Sequence, residues 1–180
     1  DIIVPASYAD ILKNKIIEVA SVIRKEFSSA EPDMKIELVP CKMPARVLDK
    51  KLQSDLITAV YVCPNGVIRM TDGIPGLVET SSNLAVVRAD QDTIAVNCLI
   101  RSSVDSAKES LCDRIKALFE MAGAKAYFTG SYPGWKPDMN SEIMKVMEKV
   151  YFDLYKAKPE IKAIHAGLEC GIIGGKYPGL

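Results

Sequence analysis

"NLAVVRADQDTIAVNCLIRSS", residues Asn83 to Ser103, decides how this chain is read. Two runs rich in β-branched residues flank the polar Ala89–Asp92 turn, which is the pattern of a β-hairpin. On the second run Ile94, Val96, Cys98 and Ile100 share one face, because side chains alternate along a strand. Ala95, Asn97, Leu99 and Arg101 share the other. The apolar row calls for a covering layer, so Arg101 is expected to project away from it, beside Asn97.

Outward from the hairpin, the next stretch is helical. Ser106 and Glu109 have capping-box spacing, and Val104, Leu111, Ile115, Leu118, Phe119 and Ala122 form one stripe. Gly123 stands where a left-handed C-terminal residue belongs, and "AKAYFT" after it reads as a short strand. Upstream, "CPNGVIRMTDGIPG" (Cys63–Gly76) reads as loop, with Asn65-Gly66 and Asp72-Gly73 as turn pairs. Pro44 suits the first turn of a helix presenting Val47, Leu48, Leu52, Leu56 and Ile57. "MKIELVP" (Met34–Pro40) and the opening "IIV" read as strands. Between them, Ser7 and Asp10 open a helix with Ile11, Ile16, Val19, Ala20, Ile23 and Phe27 as its apolar residues.

From Gly130 the texture changes. "GSYPGWKPDMNS" is irregular, and a boundary is expected there. A helix with Ile143, Met144, Met147, Val150, Tyr151 and Leu154 follows, then a short strand "IKAI". The expected order is β-α-β-α-β-β-α-β, an α/β (α+β) two-layer sandwich with helices on one face of a mainly antiparallel sheet.

Composition narrows the function. Basic and acidic residues number 23 each, so no bulk field draws the chain to nucleic acid or to an anionic membrane. No apolar run approaches the ~20 residues of a membrane span, and no signal-peptide layout is present; cytoplasmic is the expected location. Cys41, Cys63, Cys98, Cys112 and Cys170 lie far apart, neither a disulfide framework nor a zinc knuckle, and most of them read as small buried residues in a reducing compartment. A first residue of Asp1 and a last stretch "GGKYPGL" suggest a piece of something longer.

The single histidine, His165, stands four residues before Glu169 in "KAIHAGLECG". Three readings compete: a self-contained metal site, a structural pair, and part of a site completed elsewhere. Hydrolytic zinc needs about three protein ligands, and no HExxH or second cluster supplies them. A Cys170–His165 nucleophile lacks an orienting third group. The glycines at 66, 73 and 76, and "GIIGGK", lack the context of a phosphate cradle. Arg101 could grip a carboxylate through two parallel hydrogen bonds, although exposed strand-end arginines are commonly just solvated.

Six strings in order then carry a resemblance: "PNGVIR" (64–69), "GLVETSSNLAVV" (76–87), "CLIRSSVDSAK" (98–108), "AGAKA" (122–126), "SYPGWKPDMNS" (131–141) and "IHAGLECG" (164–171). They resemble the aminoacyl-histidine (Xaa-His) dipeptidases, bacterial cytosolic members of the co-catalytic zinc peptidases. The resemblance implies a catalytic domain holding two zinc ions and an inserted lid domain that also dimerises the enzyme. It implies that residues 1–131 are the C-terminal part of the lid and 132–180 a partial α/β catalytic segment. The zinc ligands would lie outside this chain, which would bind part of a small dipeptide and be inactive alone. Arg101 matches the lid arginine that grips the substrate carboxylate, and Gly167 a glycine whose backbone meets substrate; His165 and Glu169 line or brace the same cleft. Two readings from other classes are a stand-alone α/β ligand-binding or dimerisation domain without catalysis, and an enzyme built on a cysteine.

Overall fold

The computed structural model describes residues 2–72, 74–90, 92–136, 138–162 and 169–177. The chain divides into two compact units, Asp1–Leu48 and Asp49–Leu180.

In the first unit a 3-10 turn, Ala6–Tyr8, leads into helix α1, Ala9–Glu26. Leu12, Ile16, Ala20 and Ile23 form its less exposed stripe at helical spacing, with Ala20 the buried member. Ile11, Val19 and Phe27, expected on that stripe, are exposed. The expected strands at 2–4 and 34–40 do not form: both stretches are irregular. A strand has no hydrogen bonds of its own, and no second strand is present among the described residues of this unit to pair with either.

The second unit opens with α2, Lys50–Val62, which starts later than Pro44 suggested. Asp49 sets that start. Its carboxylate accepts from Lys51 N and Leu52 N, both at 3.0 Å, satisfying amides that have no partner in the first turn. Three strands follow: β1 (Gly66–Met70), β2 (Val78–Ala89) and β3 (Ile94–Ser102). They form an antiparallel sheet in that order. β1 lies in the stretch read as loop. Gly66, at φ +90°, turns the chain into Val67-Ile68, and the Asn65 side chain accepts from Leu84 N at 2.9 Å, near a register shift in β2.

Helix α3, Asp105–Met121, runs back across the sheet. Ala59, Cys63, Leu111, Ile115 and Phe119 make the buried cluster, and Leu84, Val96, Cys98 and Ile100 pack on it from the strands. Along β3 half-buried and exposed residues alternate without interruption, as the hairpin reading expected. The result is the expected two-layer arrangement, helices on one face of an antiparallel sheet.

The capping box does not form. α3 begins at Asp105, with Val104 as its N-cap and no side-chain cap bond. Ser102 Oγ takes the Val104 amide at 3.1 Å. Gly123, at φ +80°, ends the helix as expected, but "AKAYFT" continues without strand structure. Helix α4 spans Glu142–Tyr155 and α5 spans Glu169–Lys176. The expected strand at 161–164 is irregular at Ile161 and Lys162, and its last two residues lie outside the described residues.

Candidate functional site

Arg101 lies on β3 with an exposed side chain, on the face opposite the core, and Ser81 stands directly across from it in the ladder. The sheet beneath is held by a polar seam. Glu79 is buried, and its carboxylate accepts from the Arg69 guanidinium and from Thr80 Oγ1 at 3.1 Å. Thr80 Oγ1 in turn meets Ser102 Oγ at 2.8 Å. Ser103 N donates to the Glu79 carbonyl at 3.1 Å, closing the end of the hairpin against the start of α3. This seam fixes the strand end that carries Arg101, since buried polar groups that are mutually satisfied specify one arrangement.

Just beyond Arg101 the chain turns a corner onto which a distant segment is fastened. Asp105 Oδ1 accepts from Lys108 Nζ and from Gly134 N, each at 2.8 Å. Lys108 Nζ also donates to the Tyr132 carbonyl at 2.5 Å. The lysine beside it and the Gly134 amide hold the Asp105 carboxyl below the usual carboxylate range. Gly134 fits because it has no side chain: a Cβ there would lie 2.6 Å from the Ser103 carbonyl oxygen.

The same segment receives α5. A Cβ on Gly171 would lie 3.1 Å from Trp135 Cβ, and one on Gly175 3.4 Å from Pro133 Cγ. These glycines are four apart and so share a helix face. Glu169, with an exposed side chain, is the first residue of that helix. Pro133–Trp135 is thus joined both to the corner that follows Arg101's strand, through Gly134, and to Glu169's helix, through Pro133 and Trp135. His165 and Gly167 lie outside the described residues.

Sequence reasoning passed over Glu79, Asp105, Lys108 and Gly134. The signals present were the i, i+3 spacing of Asp105 and Lys108 on a helix and the Pro-Gly pair at 133–134. Of the cysteines, most are at least partly packed, as expected: Cys63 is buried and Cys98 and Cys112 are half-buried, whereas Cys41 and Cys170 are exposed.

An open cavity of about 300 Å³ lies along α4, lined by Met144, Met147, Tyr151, Leu154, Pro159 and Ile161 among others. Among the described residues Glu148 is the one charged residue lining it. It is an apolar groove and lacks the convergent polar groups that chemistry needs. Among the described residues, no group of three or more His, Cys, Asp or Glu could hold a metal ion. The zinc pair implied by the resemblance finds no ligand set in them.

Comparison with known proteins decides the family. No family model matches. Cytosol non-specific dipeptidase of Escherichia coli (strain K12) is 36% identical over 177 residues, covering 98% of this chain and 36% of that protein. The crystal structure of aminoacylhistidine dipeptidase from Vibrio alginolyticus matches with a TM-score of 0.92 at 38% identity. This segment belongs to their dipeptidase family. It spans 97% of its own length in the structural match but about a third, 36%, of the crystallised chain. Both relatives are dipeptidases by name, and this chain shares the fold of the Vibrio alginolyticus structure over 97% of its length. Among its described residues no helix is long and apolar enough to cross a membrane.

Proposed function

We propose that this chain is the substrate-gripping part of a cytoplasmic zinc dipeptidase acting on aminoacyl-histidine dipeptides. Residues 1–131 serve as lid, and residues 132–180 as the beginning of the returning catalytic segment. The observation that carries the proposal is the position of Arg101. Its side chain is exposed on the sheet face opposite the packed core, in a chain 38% identical to a dipeptidase of known structure. A guanidinium held on a rigid strand end offers a planar pair of donors to a dipeptide's terminal carboxylate.

Bond cleavage belongs, in this reading, to the rest of the enzyme, where zinc when bound supplies an activated water near neutral pH. The apolar face of α4 supports a larger assembly. Met147, Val150, Tyr151 and Leu154 are 61%, 46%, 42% and 70% exposed, an apolar surface of the kind that marks an interaction site. Dimerisation through the lid is part of the same proposal, with β1 and β3 as the outer strands of the sheet among the described residues.

The test uses the dipeptidase that carries this segment. Arg101→Ala should lower kcat/KM for a free-carboxylate dipeptide by ~10- to 100-fold, the order of a charge-assisted hydrogen bond of about 1.5–3 kcal/mol. The same dipeptide amidated at its C-terminus should lose little. Equal kinetics for wild type and variant on the free carboxylate would remove Arg101 from the site. The isolated 180-residue chain should not hydrolyse either compound.

A further inference from the structure

The corner from Ser103 to Lys108 is built more tightly than a surface turn requires. One carboxylate, Asp105, takes both a lysine and a backbone amide from 29 residues away. Lys108, although charged, keeps only 17% of its side chain exposed, and it spans two acceptors, Asp105 Oδ1 and the Tyr132 carbonyl. Burying an ammonium that far is tolerated because both acceptors are supplied. Gly134 lies directly on the Ser103 backbone, two residues past Arg101, and α5 is seated on Pro133 and Trp135 through Gly171 and Gly175.

We infer that Asp105 and Lys108 are positioning residues: a latch that fastens Tyr132–Trp135 to the end of β3 and so sets where α5, with Glu169 at its start, stands relative to Arg101. Neither residue touches substrate in this scheme. The catalytic consequence rests on the dipeptidase reading above; the mechanical one rests only on the contacts of the corner. A dipeptide bound at its carboxylate by Arg101 meets any group carried on α5 at a spacing that the latch fixes. A misplacement of about 1 Å in such a spacing can cost ~100-fold in rate.

The test has two independent readouts on wild type, Asp105→Asn, Lys108→Met and the conservative Lys108→Arg. Hydrogen exchange on the 180-residue chain should quicken at residues 132–136 and 169–177 in Asp105→Asn and Lys108→Met. The α3 core around Leu111 and Ile115 should keep its protection, and Lys108→Arg should resemble wild type. In the dipeptidase that carries the segment, those two variants should lose ~10- to 100-fold in kcat/KM for a free-carboxylate dipeptide and far less for its C-terminal amide, which cannot use Arg101. Exchange unchanged in both variants overturns the latch. Equal losses on carboxylate and amide substrates overturn the positioning role and leave a merely structural corner. A wild-type enzyme inactive on both compounds sinks the dipeptidase reading, while the exchange result still decides the latch.

Discussion

The sulfur of Cys63 lies 3.9 Å from that of Cys98, where the end of α2 meets β3. Burial, and then the neighbouring Cys98, push the Cys63 thiol up to about 12. The thiolate is the species that reacts, so this thiol is close to inert near neutral pH. Timed alkylation of the native chain at pH 8, read by mass spectrometry, should label the exposed Cys41 and Cys170 first and Cys63 last. Labelling of Cys63 as fast as Cys170 would contradict the buried packing of that helix end.

Gly134 and Gly174 should answer oppositely to alanine. At Gly134 the new Cβ would meet the Ser103 carbonyl oxygen at 2.6 Å, whereas at Gly174 none of the described residues lies within 4 Å. Overpacking of this kind costs about 1–3 kcal/mol, and alanine in an open helical position gains about 0.5–1 kcal/mol. Urea midpoints should therefore fall for Gly134→Ala and hold or rise for Gly174→Ala. Equal midpoints for the two would mean that the corner yields without cost.

The acid dependence has a definite sign. Asp105 titrates below its ordinary value because Lys108 and the Gly134 amide favour its charged form. Its contribution is present in full above the unfolded carboxyl value of about 4, and is lost as pH falls through the depressed folded value. The difference in urea midpoint between wild type and Asp105→Asn should thus be steady from pH 5 to 7 and close at lower pH. A difference that instead widened on acidification would place the stabilising form of Asp105 on the wrong side.

The core makes the plainest demand. Leu111 is 2% exposed and touches both layers through the buried cluster, whereas Met121 on the same helix is 88% exposed. Leu111→Ala should cost about 2–5 kcal/mol, from lost transfer energy and the cavity left behind. Met121→Ala should stay within about 0.5 kcal/mol. Thermal or chemical denaturation of the two variants side by side is the check.

Much of this protein is written locally. The hairpin at 83–103 and helices α3 and α4 were legible because period-two and period-3.6 apolar patterns are properties of a few adjacent residues. The placement of Arg101 on the face opposite the core followed from the same alternation, and the order of six short strings carried the resemblance to the dipeptidase family.

Other features exist only once the chain is folded. β1 is a strand because β2 lies beside it, although its residues sit among turn signals. The stretches at 2–4 and 34–40 have strand-like composition without strand structure, since propensity does not supply a partner. The bond from Gly134 to Asp105 joins positions 29 apart, and no local pattern announces it. Alternation and spacing are short-range quantities, so they could place Arg101 on a face. The fastening of Glu169's helix to Arg101's strand depends on a carboxylate, a lysine and a missing Cβ arriving at one point, and only the tertiary structure decides that.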